Sequence, residues 1–129
     1  EASGVLDQIE ATQSSWVQLG SGGMFIEETK AMITVDINTG ADFSPAAALK
    51  INLAAVQDLP RQLRLRGHSG QIAIDFAPMS KRDRKPIETA LRASLRTCPV
   101  ASEFVGWTPL GHGEIKRKRE RLPMSNFFK

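Results

Sequence analysis

The spacing of apolar positions changes several times along the chain, and each change marks an element. Ala2, Val5, Leu6 and Ile9 recur at helical spacing, which predicts a short helix to about Thr12. Ser15 to Leu19 alternates as a strand, Gly20-Ser21-Gly22-Gly23 supplies a hairpin turn that tolerates positive φ, and Met24 to Glu28 returns. A second tight connection at Thr29-Lys30 leads into Ala31 to Asn38, completing a three-stranded antiparallel meander. Ser44-Pro45 is the pairing expected of an N-cap and first helical residue, and Leu49, Leu53, Val56 and Leu63 mark one face of a long helix to about Arg66. Pro60 lies inside that helix and is expected to kink it or split it in two. Gly67-His68-Ser69-Gly70 ends it, and Gln71 to Ala77 alternates as another strand. A second helix runs from about Lys85 to Arg96 on a stripe of Ile87, Leu91 and Leu95, and Cys98-Pro99 stops it. A strand around Phe104 to Thr108 and a short basic helix from Glu114 to Arg121 close the series.

These elements imply a site as well as a fold. In the strand ending at Asn38, Ile33, Val35 and Ile37 share one face, so Asp36 and Asn38 share the other. A strand-helix-strand crossover between parallel strands is right-handed in nearly all cases. If the strands before and after the long helix are parallel neighbours, their carboxyl ends meet, and Asp75 can converge with Asp36 at about 5 Å. Two carboxylates that close repel unless a proton or cation intervenes, and magnesium suits them because it takes one or two carboxylates and fills its shell with water and phosphate oxygens. The plainer alternative stays open: Asp36-Ile37-Asn38-Thr39-Gly40 is also a good turn sequence, in which an aspartate bonds backbone amides. Asp75, set among Ile72, Ala73, Ile74 and Phe76, is expected to need a partner if it is buried.

Composition narrows the picture. With 129 residues, 41% hydrophobic and 24% charged, the chain suits one globular domain. It has no apolar run near the roughly 20 residues that cross a bilayer and no signal peptide, so a soluble, cytoplasmic protein without a membrane partner is expected. It opens at Glu1 in what reads as mid-helix, as a fragment or processed chain would. One cysteine, Cys98, excludes an intramolecular disulfide and a cysteine-rich zinc site. The net charge of +3 gathers in clusters: Arg61, Arg64 and Arg66; Lys81, Arg82, Arg84 and Lys85; and Lys116 through Arg121. Such clusters suit polyphosphate partners, or are simply solvated helix faces. His68 and His112 lack partners at metal-ligand spacing, no serine lies in a nucleophile motif, and Trp16, Trp107 and the phenylalanines read as core rather than as a stacking platform.

Taken in order, Gly22-Gly23-Met24-Phe25-Ile26-Glu27, Val35-Asp36-Ile37-Asn38-Thr39-Gly40, Asn52-Leu53-Ala54-Ala55, Arg61-Gln62-Leu63-Arg64-Leu65-Arg66, Gly70-Gln71-Ile72-Ala73-Ile74-Asp75-Phe76 and Met79 resemble the carboxyl-terminal catalytic subdomain of the ribonuclease E/G family. The resemblance implies an α+β, DNase I-like subdomain whose mixed sheet joins an antiparallel meander to a parallel crossover flanked by helices. It further implies that Asp36 and Asp75 hold Mg2+, for which Mn2+ can substitute, and that Asn38 bonds the scissile phosphate or a metal-bound water. Single-stranded RNA would be cut to leave 5′-phosphate and 3′-hydroxyl ends. Arg61, Arg64, Arg66, Lys81, Arg82, Lys116 and Arg117 are the candidate phosphate contacts, and a homodimer through the longer enzyme is a possible assembly. The sequence also departs from the family pattern. Ala77-Pro78 precedes Met79 where a second aspartate is usual, and the paired-cysteine zinc link is missing. A catalytically decayed RNA-binding or assembly module is therefore the alternative, and a phosphodiesterase acting on DNA or small phosphoesters is a third reading.

Overall fold

The computed structural model describes residues 15–119. Strands β1 (Trp16–Leu19), β2 (Gly22–Glu28) and β3 (Ile33–Asn38) form the expected meander. Helix α1 (Pro45–Arg66) crosses to β4 (Gly70–Asp75). A 3-10 turn (Lys81–Asp83) leads into α2 (Arg84–Arg96), and β5 (Ser102–Trp107) and β6 (Gly113–Arg117) follow. The six strands make one sheet in the order β1-β2-β3-β4-β6-β5, in which β3 and β4 are parallel and the other pairings antiparallel. The fold is thus α+β with a mixed sheet. Among the described residues no helix is long and apolar enough to cross a membrane. The helix expected before Thr12 lies outside the described residues.

Both helices cover the same face of the sheet. Val35, Ile37, Ile72, Ile74, Met24 and Ile115 project into one core with Val56, Leu59 and Leu63 of α1 and Ile87, Leu91 and Leu95 of α2. The alternate residues of the strands point away, and among the described residues no element covers them. The ends of α1 are set locally. Ser44 accepts a hydrogen bond from the Ala47 amide, and Gly67, in the left-handed region at φ 67°, donates its own amide to the carbonyls of Leu63 and Arg64.

Two expectations need correction. Pro60 does not split α1, which runs unbroken for 22 residues. A proline inside a helix forfeits a backbone hydrogen bond at about 3 kcal/mol, but Val56, Leu59, Pro60 and Leu63 are all buried, and their packing outweighs that loss. The basic helix expected from Glu114 to Arg121 is instead β6 as far as Arg117, and the chain beyond 119 lies outside the described residues. Gly113, Ile115 and Arg117 face inward and Glu114 and Lys116 outward, a period of two that the run of charges obscures. Pairing with both β4 and β5 gives β6 hydrogen-bonding partners on each side.

A buried amide fixes the segment after β4. Asn52 on α1 is fully buried; its Nδ2 donates to the Ala77 carbonyl at 3.0 Å and its Oδ1 accepts from the Ala77 amide at 3.0 Å. Removing it would strand a buried donor and a buried acceptor, each costing about 1–3 kcal/mol. Asn52→Ala is therefore expected to lower the unfolding free energy by about 2–4 kcal/mol in urea denaturation, whereas Gln57→Ala, at an exposed position of the same helix, should change it by less than about 0.5 kcal/mol.

Candidate functional site

The parallel register sets Val35 opposite Ile74 on the core side and Asp36 opposite Asp75 on the open side. One strand spacing, about 5 Å, separates the two backbones at that point. The aspartates therefore share a face at the carboxyl end of neighbouring strands. Asn38 lies on the same face of β3, and its side chain hydrogen-bonds to Asp36. The Asp36 carboxyl nevertheless holds its proton more tightly than an ordinary aspartate. Partial burial is the largest cause, followed by the charge of Asp75 and then that of Glu27, and together they outweigh the opposing bond from Asn38.

Asp75 differs from the expectation of an acid buried among isoleucines, for its side chain is 63% exposed. Ile72 and Ile74 point into the core while Asp75 points out. Its neighbour is a residue that sequence spacing passed over: His112 Nε2 lies 3.6 Å from Asp75 Oδ1. His112 is brought there by the turn before β6, where its amide donates to Thr108 Oγ1 at 3.0 Å. The only signal in the sequence was its place two residues before an outward-facing glutamate on a strand paired with β4. Arg84 also approaches this edge. A Cβ added at Gly111 would meet its Nη2 at 2.7 Å, and its guanidinium lies 5.5 Å from the centre of the Trp107 ring.

The predicted basic contacts divide by position. Lys81 and Arg82 are exposed in the 3-10 turn that follows β4, on the same chain end as Asp75. Lys116 is on the open face, but it pairs with Gln71, four residues and about 13 Å along β4 from Asp75. Arg61, Arg64 and Arg66 are not brought to the carboxylates. They lie in the last two turns of α1, which leads into the opposite end of β4, about 16 Å away along that strand. Arg61 pairs with Asp58 at 3.5 Å, and Arg66 donates to Gln62 Oε1 at 3.2 Å. Arg117 is 3% exposed and faces inward, donating to Cys98 Sγ at 3.0 Å and Ser102 Oγ at 3.3 Å, so it has no surface to offer a phosphate. Burial pushes the Cys98 thiol pKa up, but the Arg117 hydrogen bond, a backbone hydrogen bond at Val100 and the charges of Arg117 and Arg64 together bring it below its ordinary value.

The aromatic residues depart from the expectation that all of them serve the core. Trp107 does pack against it, with its ring 5.3 Å from that of Phe76. Trp16 and Phe25 form a separate pair on the open face, with ring centres 4.6 Å apart and planes tilted by 56°. Phe25 is the register partner of Asp36, so Trp16, Phe25, Asp36 and Asp75 stand in one row across four strands.

A groove of about 580 Å³ opens elsewhere, between the β1–β2 turn and the first turns of α1, lined by Leu19, Thr39, Asp42, Lys50, Ile51 and others. It holds a single carboxylate and lacks the paired acids of the open face. His68 lies at the far end of β4, where burial chiefly, with help from the Arg66 charge, lowers its pKa against the opposing pull of Glu28.

Comparison with known proteins gives a consistent answer. Residues 1–120 match the model of the "Ribonuclease E/G family". Ribonuclease G of Salmonella typhimurium is 39% identical over 123 residues, covering 91% of this chain and 25% of that protein. Ribonuclease G of Escherichia coli K12 is 38% identical over the same coverage. Ribonuclease E of Nostoc sp. PCC 7120 is 36% identical over 118 residues, covering 87% of this chain and 17% of its own length. The chain spans about a quarter or less of these relatives. It belongs to the ribonuclease E/G family.

Proposed function

We propose that this chain carries the catalytic centre of a magnesium-dependent endoribonuclease acting on single-stranded RNA, with Asp36 and Asp75 as carboxylate ligands of the ion. The observation that carries this reading is the register pairing of the two aspartates, both exposed, on the sheet face opposite the core. Partial burial first, and then the like charges of Asp75 and Glu27, leave the Asp36 proton more firmly bound than usual, and a divalent cation would offset both by favouring the ionised carboxylate. The donor set fits magnesium or manganese: all oxygen, two carboxylates, and open solvent for water and phosphate oxygens.

The bound ion supplies phosphate neutralisation and activation of water for in-line attack. The chain's own residues do the rest. Asp36 and Asp75 fix where positive charge sits beside the scissile phosphate. Asn38 orients Asp36 and has an amide to offer a non-bridging phosphate oxygen. Lys81 and Arg82 hold the RNA backbone without reading sequence. His112 holds the Asp75 carboxylate from its other side. Water adds to phosphorus, the bond to the 3′-oxygen breaks and that oxygen takes a proton, which leaves 5′-phosphate and 3′-hydroxyl ends.

A second reading, an RNA-binding or assembly module that has lost hydrolysis, has one observation in its favour. Among the described residues no group of three or more acidic, histidine or cysteine side chains is placed to share an ion. A magnesium titration followed by NMR separates the two readings. Saturable shifts at Asp36, Asn38 and Asp75 are expected, and their absence would leave the decayed module. Asp36→Asn and Asp75→Asn should each abolish the saturable response and lower single-turnover cleavage of labelled RNA by at least about 10²-fold. EDTA should do the same to the wild type, with activity returning on addition of Mg2+ or Mn2+. Preferential cutting of DNA would overturn the substrate assignment.

The raised proton affinity of Asp36 also fixes the sign of a stability effect. Because the fold binds this proton more tightly than the unfolded chain does, the associated stability is fully present below the unfolded pKa of about 3.9 and is lost as pH rises through the higher folded value. In metal-free buffer at pH 7, Asp36→Asn is therefore expected to be at least as stable as the wild type, and the difference should vanish by pH 3. Thermal unfolding across that range checks it; a variant less stable than the wild type at pH 7 would contradict the cost of burying the Asp36 charge beside Asp75 and Glu27.

A further inference from the structure

On the open face the row that carries the two aspartates continues through Phe25 to Trp16. Phe25 is 38% exposed although it is large and apolar, and neither ring belongs to the core. The indole is held in place. Trp16 Nε1 donates to Gln18 Oε1 at 2.9 Å, and Gln18 Nε2 donates to the carbonyls of Gly20 and Gly22 at 2.6 and 3.2 Å. The ring lies across Gly23: a Cβ there would sit 2.5 Å from Trp16 Cζ2, so the absence of a side chain at Gly23 makes room for it. The sequence thus places an oriented aromatic pair beside the acids.

We propose that Trp16 and Phe25 form the stacking platform for the base of the nucleotide that flanks the phosphate held at Asp36 and Asp75. This inference rests on the nuclease reading above. One strand spacing, about 5 Å, separates Phe25 from Asp36, and two separate Trp16 from it, which is within reach of one nucleotide. The local charge selects the occupant. With Glu27 and Asp36 close by, an acidic ligand is repelled at the rings, whereas a nucleobase is neutral and presents a π-face. Stacking is tolerant of base identity, as suits a contact without hydrogen-bonding groups aimed at a base edge. The pinned indole reduces the ordering cost of binding.

The test uses the 129-residue chain and a single-stranded RNA hexamer at low salt, with Mg2+ replaced by Ca2+ to prevent turnover. Of the two tryptophans, Trp107 is removed as a reporter by Trp107→Phe, leaving Trp16 emission. Saturable quenching by the hexamer is expected. Removing the base at one position of the hexamer should weaken binding by about 5- to 150-fold, the worth of one base–aromatic stack. The double variant Trp16→Leu, Phe25→Leu should bind the intact and abasic hexamers equally. Phe25→Leu alone, which keeps an apolar side chain, provides the same comparison if the double variant is unstable. If Asp36 and Asp75 resonances respond to ion and hexamer while Trp16 is not quenched and the leucine variants keep the wild-type preference for the intact hexamer, the platform is wrong and the nuclease reading survives. If neither aspartate responds to the ion nor the chain binds the hexamer, the nuclease reading fails and takes the platform with it. Quenching by an acidic peptide as strong as that by RNA would assign the pair to a protein partner and overturn the proposal.

Discussion

The parallel pairing of β3 with β4 is the constraint on which the rest depends. A one-residue slip would turn every side chain of a strand to the other face, so the core enforces the register: Val35 and Ile74 stay buried only if Asp36 and Asp75 stay together outside. The magnitudes favour the core. Each buried isoleucine or valine contributes about 1.5–3 kcal/mol, while two carboxylates one strand apart in solvent repel by about 1 kcal/mol. The fold can therefore maintain an unfavourable charge pair at a fixed place. It does so at the carboxyl end of the two parallel strands.

From this follows the division of the molecule into two sides. One side is covered by α1 and α2 and carries the stability. The other, which carries no helix among the described residues, holds the side chains with chemistry to offer: the aspartates, Asn38, His112 and the aromatic pair. Asn52 links the two. Its paired bonds to Ala77 anchor the chain just beyond Asp75 to the helix beneath, so the segment leading to Lys81 and Arg82 is fixed from the buried side. Arg61, Arg64 and Arg66 of α1 lie at the opposite end of β4, and no cation of α1 is among the groups that shift the Asp36 carboxyl.

How much of this was legible depended on whether local pattern or long-range pairing decided it. The meander, both helices and the shared face of Asp36 and Asn38 follow from periodicity, and the meeting of Asp36 with Asp75 follows once the crossover is granted. The identity of β6 is hidden in the sequence because Glu114, Lys116 and Arg117 read as a solvated helix, whereas long-range pairing with β4 and β5 makes a strand of them and turns Arg117 inward towards Cys98 and Ser102. For the same reason Arg117 was counted among surface cations. His112 has no partner at ligand spacing in the sequence because Asp75, which it approaches, lies 37 positions earlier and is reached only through the β4–β6 pairing. The long basic helix face near Arg61 looked functional because charge runs carry no information about which end of a sheet they will occupy.

The aromatic pair shows the same limit from the opposite direction. Trp16 and Phe25 alternate with Val17, Met24 and Ile26, and the pattern states only that they face away from the core. Whether that direction is solvent, a second layer or a ligand is decided by what covers the sheet, and no local pattern encodes it. The pleat adds a geometric consequence. Side chains that share a face and a register position fall in a row perpendicular to the strands, so Trp16, Phe25, Asp36 and Asp75 are aligned across the sheet, with His112 3.6 Å from Asp75. A nucleic-acid strand using the carboxylates and the rings together must then cross the strands rather than run along them. Moving along β4 instead would carry it from Asp75 past Ala73 to Gln71, where the next cation is Lys116 and there is no second acid pair to hold an ion. The same register that sets the carboxylates side by side also sets the rings in line with them.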